Sequence, residues 1–222
     1  MKNNKVILAL DSNNINKTTK LVKLLKDEVY AFKIGYEFFF NFGIDGYHKI
    51  KKISPKIFLD LKLHDIPNTV SNGIIAINKL KPLITTIHIS GGEKMMKASA
   101  VKKNKTKIIG VSVLTSLDRK QTKKIYNQTN LNLLVKKFAR LAKKNNLDGI
   151  VCSPQEIKFV RKVVGKKFLI ITPGIRFTKS NKGDDQKRTM TPKHAIKLGA
   201  DFLVVGRPIT QSKNPLTTIK EI

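Results

Sequence analysis

Short apolar runs recur along the chain, each followed by a stretch of helical character. They begin near Val6, Ala31, Ile57, Ile84, Ile108, Gly149, Phe168 and Phe202, and the first five are spaced by about 25 residues. Runs this short, rich in Ile, Val, Leu and Phe and bounded by polar residues, read as buried strands. Between them, apolar residues fall at helical spacing. Residues 17–28 carry Leu21, Val22, Leu24 and Leu25; residues 68–80 carry Val70, Ile74, Ile75 and Ile77; residues 131–144 carry Leu134, Val135, Phe138, Leu141 and Ala142. Ser153-Pro154-Gln155-Glu156 has the form of a capping box with proline at the first helical position, and Thr191-Pro192 repeats that start signal.

Eight strand-then-helix units with no linker between them predict a parallel sheet covered by helices. Eight is also the number that closes a (β/α)8 TIM barrel, so the expected fold class is α/β, a single barrel domain over residues 1–222. The competing architecture is an open doubly wound sheet. That fold favours a glycine fingerprint after the first strand, where this chain has Asp11-Ser12-Asn13-Asn14.

Composition narrows the picture. A chain of 222 residues that is 41% hydrophobic can bury one full core. Its single cysteine, Cys152, excludes a disulfide framework and any multi-cysteine metal site, and reads as a buried small side chain. The four histidines, His48, His64, His88 and His194, form no HExxH pair. No apolar run reaches the roughly 18 residues of a membrane span, and the N-terminus lacks a secretory pattern. A cytoplasmic protein with no membrane partner is expected.

The net charge of +29 and pI near 10.3 raise the question of a polyanion. Of 44 Lys and Arg residues only six are Arg, and the cations are scattered from Lys2 to Lys220. The densest stretch, Lys102-Lys103-Asn104-Lys105-Thr106-Lys107, has no aromatic residue for base stacking. Lysine and asparagine in excess fit a coding bias, so no nucleic-acid partner is expected. An anionic ligand would still be steered inwards.

In such barrels the chemistry sits at the C-terminal ends of the strands. Polar residues there are Asp11, Lys33, Asp60, Lys62, His64, Asp65, His88, Ser90, Thr115, Ser116, Ser153, Thr172 to Arg176, and Gly206-Arg207. Asp60 and Lys62 are two apart, so both point into the barrel mouth while Leu59, Leu61 and Leu63 face the helices. Lys33 points into the same mouth from the neighbouring strand. Alternating charges about 4 Å apart attract by about 4 kcal/mol each at an effective dielectric near 20. Such an array fixes the ammonium of Lys62, and suits stabilisation of a developing negative charge followed by proton delivery. Arg176 and Arg207 stand out against the lysine background, at the strand 7 and 8 loops where barrels bind phosphate.

The run Asp60-Leu61-Lys62-Leu63-His64-Asp65-Ile66-Pro67-Asn68-Thr69 resembles the signature of the orotidine 5′-phosphate decarboxylase family. The similarity extends through Leu8 to Asp11, Phe32 to Gly35, His88 to Gly92, Val113 to Ser116, Leu147 to Ser153, Thr172 to Arg176, Gln186 and Gly199 to Ile209. The resemblance implies conversion of orotidine 5′-monophosphate to uridine 5′-monophosphate (UMP) without metal or cofactor. It makes Lys62 the ammonium that stabilises and protonates the C6 carbanion. Asp60 would lie beside the departing carboxylate, either repelling it or orienting Lys62. Lys33, with Asp11, would reach ribose hydroxyls. The whole 60–69 run belongs to the substrate site on this reading. Asp65 and Thr69 would enter the site of a second subunit, which implies a homodimer. Thr115 would meet the pyrimidine edge, and Arg176, Gln186, Gly206 and Arg207 would grip the phosphate. Residues 177–185, ahead of Gln186, are Lys-rich, which leaves the register of Gln186 open; this loop would close over the phosphate.

Two other functions remain open. A Mg2+-dependent sugar-phosphate decarboxylase or aldolase shares Asp-x-Lys-x-x-Asp on the same barrel, although Ile66-Pro67-Asn68-Thr69 favours the pyrimidine enzyme. A non-enzymatic polyanion-binding protein would show steep salt dependence, but leaves the matched charges of the third strand unexplained.

Overall fold

The computed structural model describes residues 4–176 and 189–222. Eight short strands pair in parallel, in chain order, and close on themselves: β1 (Val6–Ala9), β2 (Ala31–Ile34), β3 (Ile57–Leu63), β4 (Ile84–His88), β5 (Lys107–Val111), β6 (Gly149–Val151), β7 (Leu169–Thr172) and β8 (Phe202–Val205). Closure is completed by β1 against β8, with Val6 opposite Leu203 and Leu8 opposite Val205. The fold is the expected TIM barrel.

Helices cover the outside: α1 (Ile15–Leu25), α2 (Tyr36–Ile53), α3 (Pro67–Leu80), α4 (Gly92–Lys102), α5 (Arg119–Tyr126), α6 (Leu131–Lys144), α7 (Ile157–Val164), α8 (Pro192–Leu198), α9 (Arg207–Thr210) and α10 (Pro215–Lys220). The helix over 131–144 has its expected bounds, whereas α1 starts two residues early because the Asn14 side chain accepts the Lys17 N–H and caps it. The start at Pro192 is as read, but Thr191 makes no side-chain cap bond. α2 is broken at Gly43, whose φ of 57° suits only glycine.

Period-two alternation divides the apolar residues between two cores. The outward set packs beneath the helices, with Phe32, Phe38, Leu59, Ile74, Phe138 and Val160 fully or nearly fully buried. The inward set, Ile7, Ala31, Phe58, Ile84, Ile109 and Ile171, fills the barrel interior. Further along three of the strands the same inward column turns polar at four places: Ala31 leads to Lys33, Phe58 to Asp60 and then Lys62, Ile84 to Thr86. An apolar floor under a polar mouth is therefore written into single strands.

One strand departs from the regular alternation the sequence suggests. Leu59 pairs with Thr85 and Leu63 with Ile87, so four steps of β3 run against two of β4. Lys62 absorbs the excess with φ of 43°, in the left-handed region that costs an L-residue about 1–2 kcal/mol.

The opposite end of the barrel is closed by a repeated device. Asp148, at the entry to β6, accepts the Ile108 N–H at 2.8 Å and pairs with Lys103 at 2.9 Å. Asp201, at the entry to β8, accepts the Ile170 N–H at 2.7 Å and pairs with Arg161 at 2.6 Å.

Candidate active site

A cavity of about 420 Å³ opens at the C-terminal ends of the strands. Its walls include Asp11, Lys33, Asp60, Lys62, Thr115, Arg176, Gly206 and Arg207, above a floor of Phe58, Val111, Val151 and Val204. Five elements deliver the charges. Asp11 follows β1, Lys33 lies in β2, Asp60 and Lys62 in β3, and the two arginines follow β7 and β8.

The four charges nearest β2 and β3 form one chain. Lys33 Nζ lies 3.1 Å from Asp11 Oδ1 and 3.8 Å from Asp60 Oδ2, and Lys62 Nζ lies 2.8 Å from the same Asp60 oxygen. The sign alternates at every step. Burial by itself would push the Asp60 carboxyl up. The ammonium groups of Lys33 and Lys62, with hydrogen bonds from Lys62 and Thr86, outweigh it and hold the group below the usual carboxylate range. Asp60 is therefore an anion in a nearly closed site, its side chain only 9% exposed. Lys62, by contrast, keeps one side open to the cavity.

Several contacts here are invisible to a reading of strand ends. Thr86, fully buried in β4, donates its hydroxyl hydrogen to Asp60 Oδ1 at 2.8 Å and accepts the Lys62 N–H at 2.9 Å. Its signal was the inward parity it shares with Ile84. Tyr36, at the start of α2, donates to the Leu61 carbonyl at 3.0 Å, and the Lys62 ammonium lies 5.5 Å from its ring centre. A Cβ on Gly35 would come within 2.9 Å of Lys33 Nζ and 3.2 Å of Asp11 Oδ1, so a side chain there would shift the tips of that ion pair. Cys152 is buried, as expected, and also lines the cavity. His88 stands 5.2 Å from His64, ring centre to ring centre, and burial pushes its imidazole below the usual range, helped by His64 and Lys62 and opposed by Asp60.

The structure separates the rest of the 60–69 run. Leu61 and Leu63 pack on the helix side of the sheet and do not line this cavity. His64, Asp65, Ile66, Asn68 and Thr69 are exposed beyond the strand, and Pro67 begins α3. None of these six lines the cavity of its own chain. Across the mouth, Arg176 donates to the Ile175 carbonyl at 2.9 Å. Among the described residues, a Cβ on Gly206 would meet the Ala9 methyl carbon at an ordinary 3.5 Å, and Gly206 lines the cavity. Gln186 and residues 177–185 lie outside the described residues. Among the described residues, no group of three His, Cys, Asp or Glu could hold a metal ion, and no helix is long and apolar enough to cross a membrane.

This geometry can hold an anion at the arginine side and a fixed ammonium 2.8 Å from a buried carboxylate at the other. Comparison with known proteins gives the same direction. The family described as orotidine 5′-phosphate decarboxylase / HUMPS matches residues 4–222. The chain is 47% identical over 221 residues to the orotidine 5′-phosphate decarboxylase of Wolbachia sp. subsp. Brugia malayi, covering 99% of this chain and 97% of that one. Its fold is similar to the crystal structure of the Lactobacillus acidophilus orotidine 5′-phosphate decarboxylase, with TM-score 0.83 and 36% identity over 98% of this chain and 96% of that one. It also resembles the Methanocaldococcus jannaschii enzyme complexed with the inhibitor BMP, with TM-score 0.78 and 26% identity over 98% and 96%.

Proposed function

Because this chain belongs to the orotidine 5′-phosphate decarboxylase / HUMPS family, we propose a division of labour among its cavity residues. The reaction is decarboxylation of orotidine 5′-monophosphate to UMP and CO2 in pyrimidine biosynthesis, and the chain is a carboxy-lyase. Arg176 and Arg207 hold the phosphate, Thr115 meets the base, and Asp11 and Lys33 meet the ribose. Gln186 belongs to the phosphate grip on the same reading.

The substrate carboxylate sits beside Asp60. Its bond to C6 breaks, CO2 leaves, and the electron pair stays on C6 next to the Lys62 ammonium. Lys62 then transfers one proton to C6, giving UMP, and regains a proton from water. The contact that carries this reading is the Asp11–Lys33–Asp60–Lys62 chain, because a cation held this close to a buried anion is aimed before the substrate arrives. Both Asp60 oxygens are engaged by Thr86 and by the lysines, which favours orientation of Lys62 as part of its role. Energy from the remote phosphate serves to align the ring, so truncated substrate loses rate as well as affinity.

The reading includes a homodimer in which Asp65 and Thr69 complete the partner's site. Both are exposed and outside their own cavity, beside exposed Ile66, and Tyr36 and Phe40 offer more apolar surface. It also places the enzyme in the cytoplasm, since a phosphate ester does not cross a bilayer unaided.

The test is ultraviolet loss of orotidine 5′-monophosphate with EDTA present. Steady loss at sub-stoichiometric enzyme is expected. Lys62→Ala is expected to abolish turnover and still bind UMP. Near-normal turnover by that variant would overturn the mechanism. Activity that requires added Mg2+ and a sugar phosphate would favour the other branch of the family.

A further inference from the structure

We propose that Thr86 is a positioning residue for this reaction: one hydroxyl fixes both the Asp60 carboxylate and the backbone from which Lys62 projects. The inference rests on the catalytic roles assigned above to Asp60 and Lys62. Thr86 itself does not line the cavity.

A hydroxyl has one hydrogen to donate and lone pairs to accept with. In Thr86 the hydrogen goes to Asp60 Oδ1 at 2.8 Å. That leaves Asp60 Oδ2 to face Lys62 at 2.8 Å and Lys33 at 3.8 Å. The lone pair accepts the Lys62 N–H at 2.9 Å, at the point where β3 slips against β4. There the hydroxyl takes the place of a ladder acceptor and supports the left-handed φ of 43° at Lys62. The two bonds act together. Without the hydroxyl, the carboxylate is free to turn about its last torsion, and the Lys62 backbone N–H loses its partner in a partly buried place. The ammonium would then no longer be held in a single position.

The neighbouring residue supplies a control. Thr85 is equally buried, and its hydroxyl donates to the Leu59 carbonyl at 2.9 Å on the helix side of the sheet. Its hydroxyl bonds to the Leu59 carbonyl and not to Asp60 or Lys62, so its loss costs stability and leaves the array alone.

The experiment measures kcat and KM of the whole enzyme for wild type, Thr86→Val, Thr86→Ala, Thr86→Ser and Thr85→Val. Loss of a hydrogen bond to a charged group predicts a fall in kcat of roughly ten- to a hundred-fold in Thr86→Val and Thr86→Ala. KM is expected to change by less than about threefold, because the phosphate and base contacts proposed above lie across the cavity. Thr86→Ser is expected to restore most of kcat, and Thr85→Val to lower Tm with kcat near wild type. Should Thr86→Val not fold, the Ala and Ser pair decides the matter. Equal kcat in Thr86→Ala and wild type, or a Ser variant as impaired as Ala, overturns the inference. An inactive wild type overturns the functional reading as well, and so separates the two failures.

Discussion

Lys62 is the residue on which the site turns, and its neighbours explain why it can be aimed. Asp60 holds its ammonium at 2.8 Å and Thr86 holds its backbone at 2.9 Å. Gly35 keeps room for the next ammonium in the chain, that of Lys33. Its own backbone is extended, so a methyl there would crowd a flexible lysine tip and leave the backbone unstrained. Gly35→Ala is therefore expected to change Tm little but to lower kcat/KM by roughly tenfold, the effect of weakening one charge contact by about 1.4 kcal/mol. His88 gives a pH signature. Its imidazole is held below the usual range by burial first, so it binds fewer protons folded than unfolded. Its contribution to stability is complete above about pH 6.5 and is lost as pH falls through the lower folded value. Melting curves across that range should show His88→Gln losing less stability on acidification than wild type.

At the scale of elements, β2, β3 and β4 are two-part devices. The interior column is apolar at one end and chemical at the other, as in Phe58, Asp60 and Lys62 of β3. This lets the barrel be packed from below while the mouth stays polar. The ends opposite the mouth are tied by carboxylates. Asp148 ties β6 to β5 through the Ile108 N–H, and Asp201 ties β8 to β7 through the Ile170 N–H. Removing either carboxylate takes the acceptor from a backbone N–H and the ion pair from a cation. Asp148→Ala should cost about 1–3 kcal/mol and lower Tm by several degrees, with kcat unchanged. A large fall in kcat in that variant would mean that the two ends of the barrel are coupled.

At the scale of the molecule, two properties bear on function. One is the charge of +29, spread over the surface and mostly lysine. Long-range steering of a phosphate dianion should make kcat/KM fall with ionic strength as the screening length shrinks to about 10 Å near 0.1 M, while kcat holds steady. A kcat/KM indifferent to salt would leave the charge without a catalytic consequence. The other is the proposed homodimer. If Asp65 serves the partner's site, a mixture of Lys62→Ala and Asp65→Ala chains, each inactive alone, should regain activity after exchange of subunits. Hybrid dimers would then hold one intact site of two. No recovery from verified hybrids would return Asp65 to its own chain.

The barrel and the charged residues at its strand ends were legible in the sequence because both follow local rules. Eight apolar runs with helical segments between them point to a parallel sheet, and the two-residue spacing of Asp60 and Lys62 gives them one face of a regular strand. The contacts between strands followed no such rule. Thr86 lies 26 residues from Asp60 and meets it only because β3 and β4 are neighbours in a closed sheet. The slip that turns Lys62 left-handed depends on how two strands fit, which neither strand states alone. Leu61 and Leu63 share the signature run but face the helices, since the same alternation that turns Asp60 inwards turns them out. Sequence by itself determined the residue types and the face each takes, through backbone periodicity. Tertiary structure decided which of them touch, because distance between strands is set by closure of the barrel.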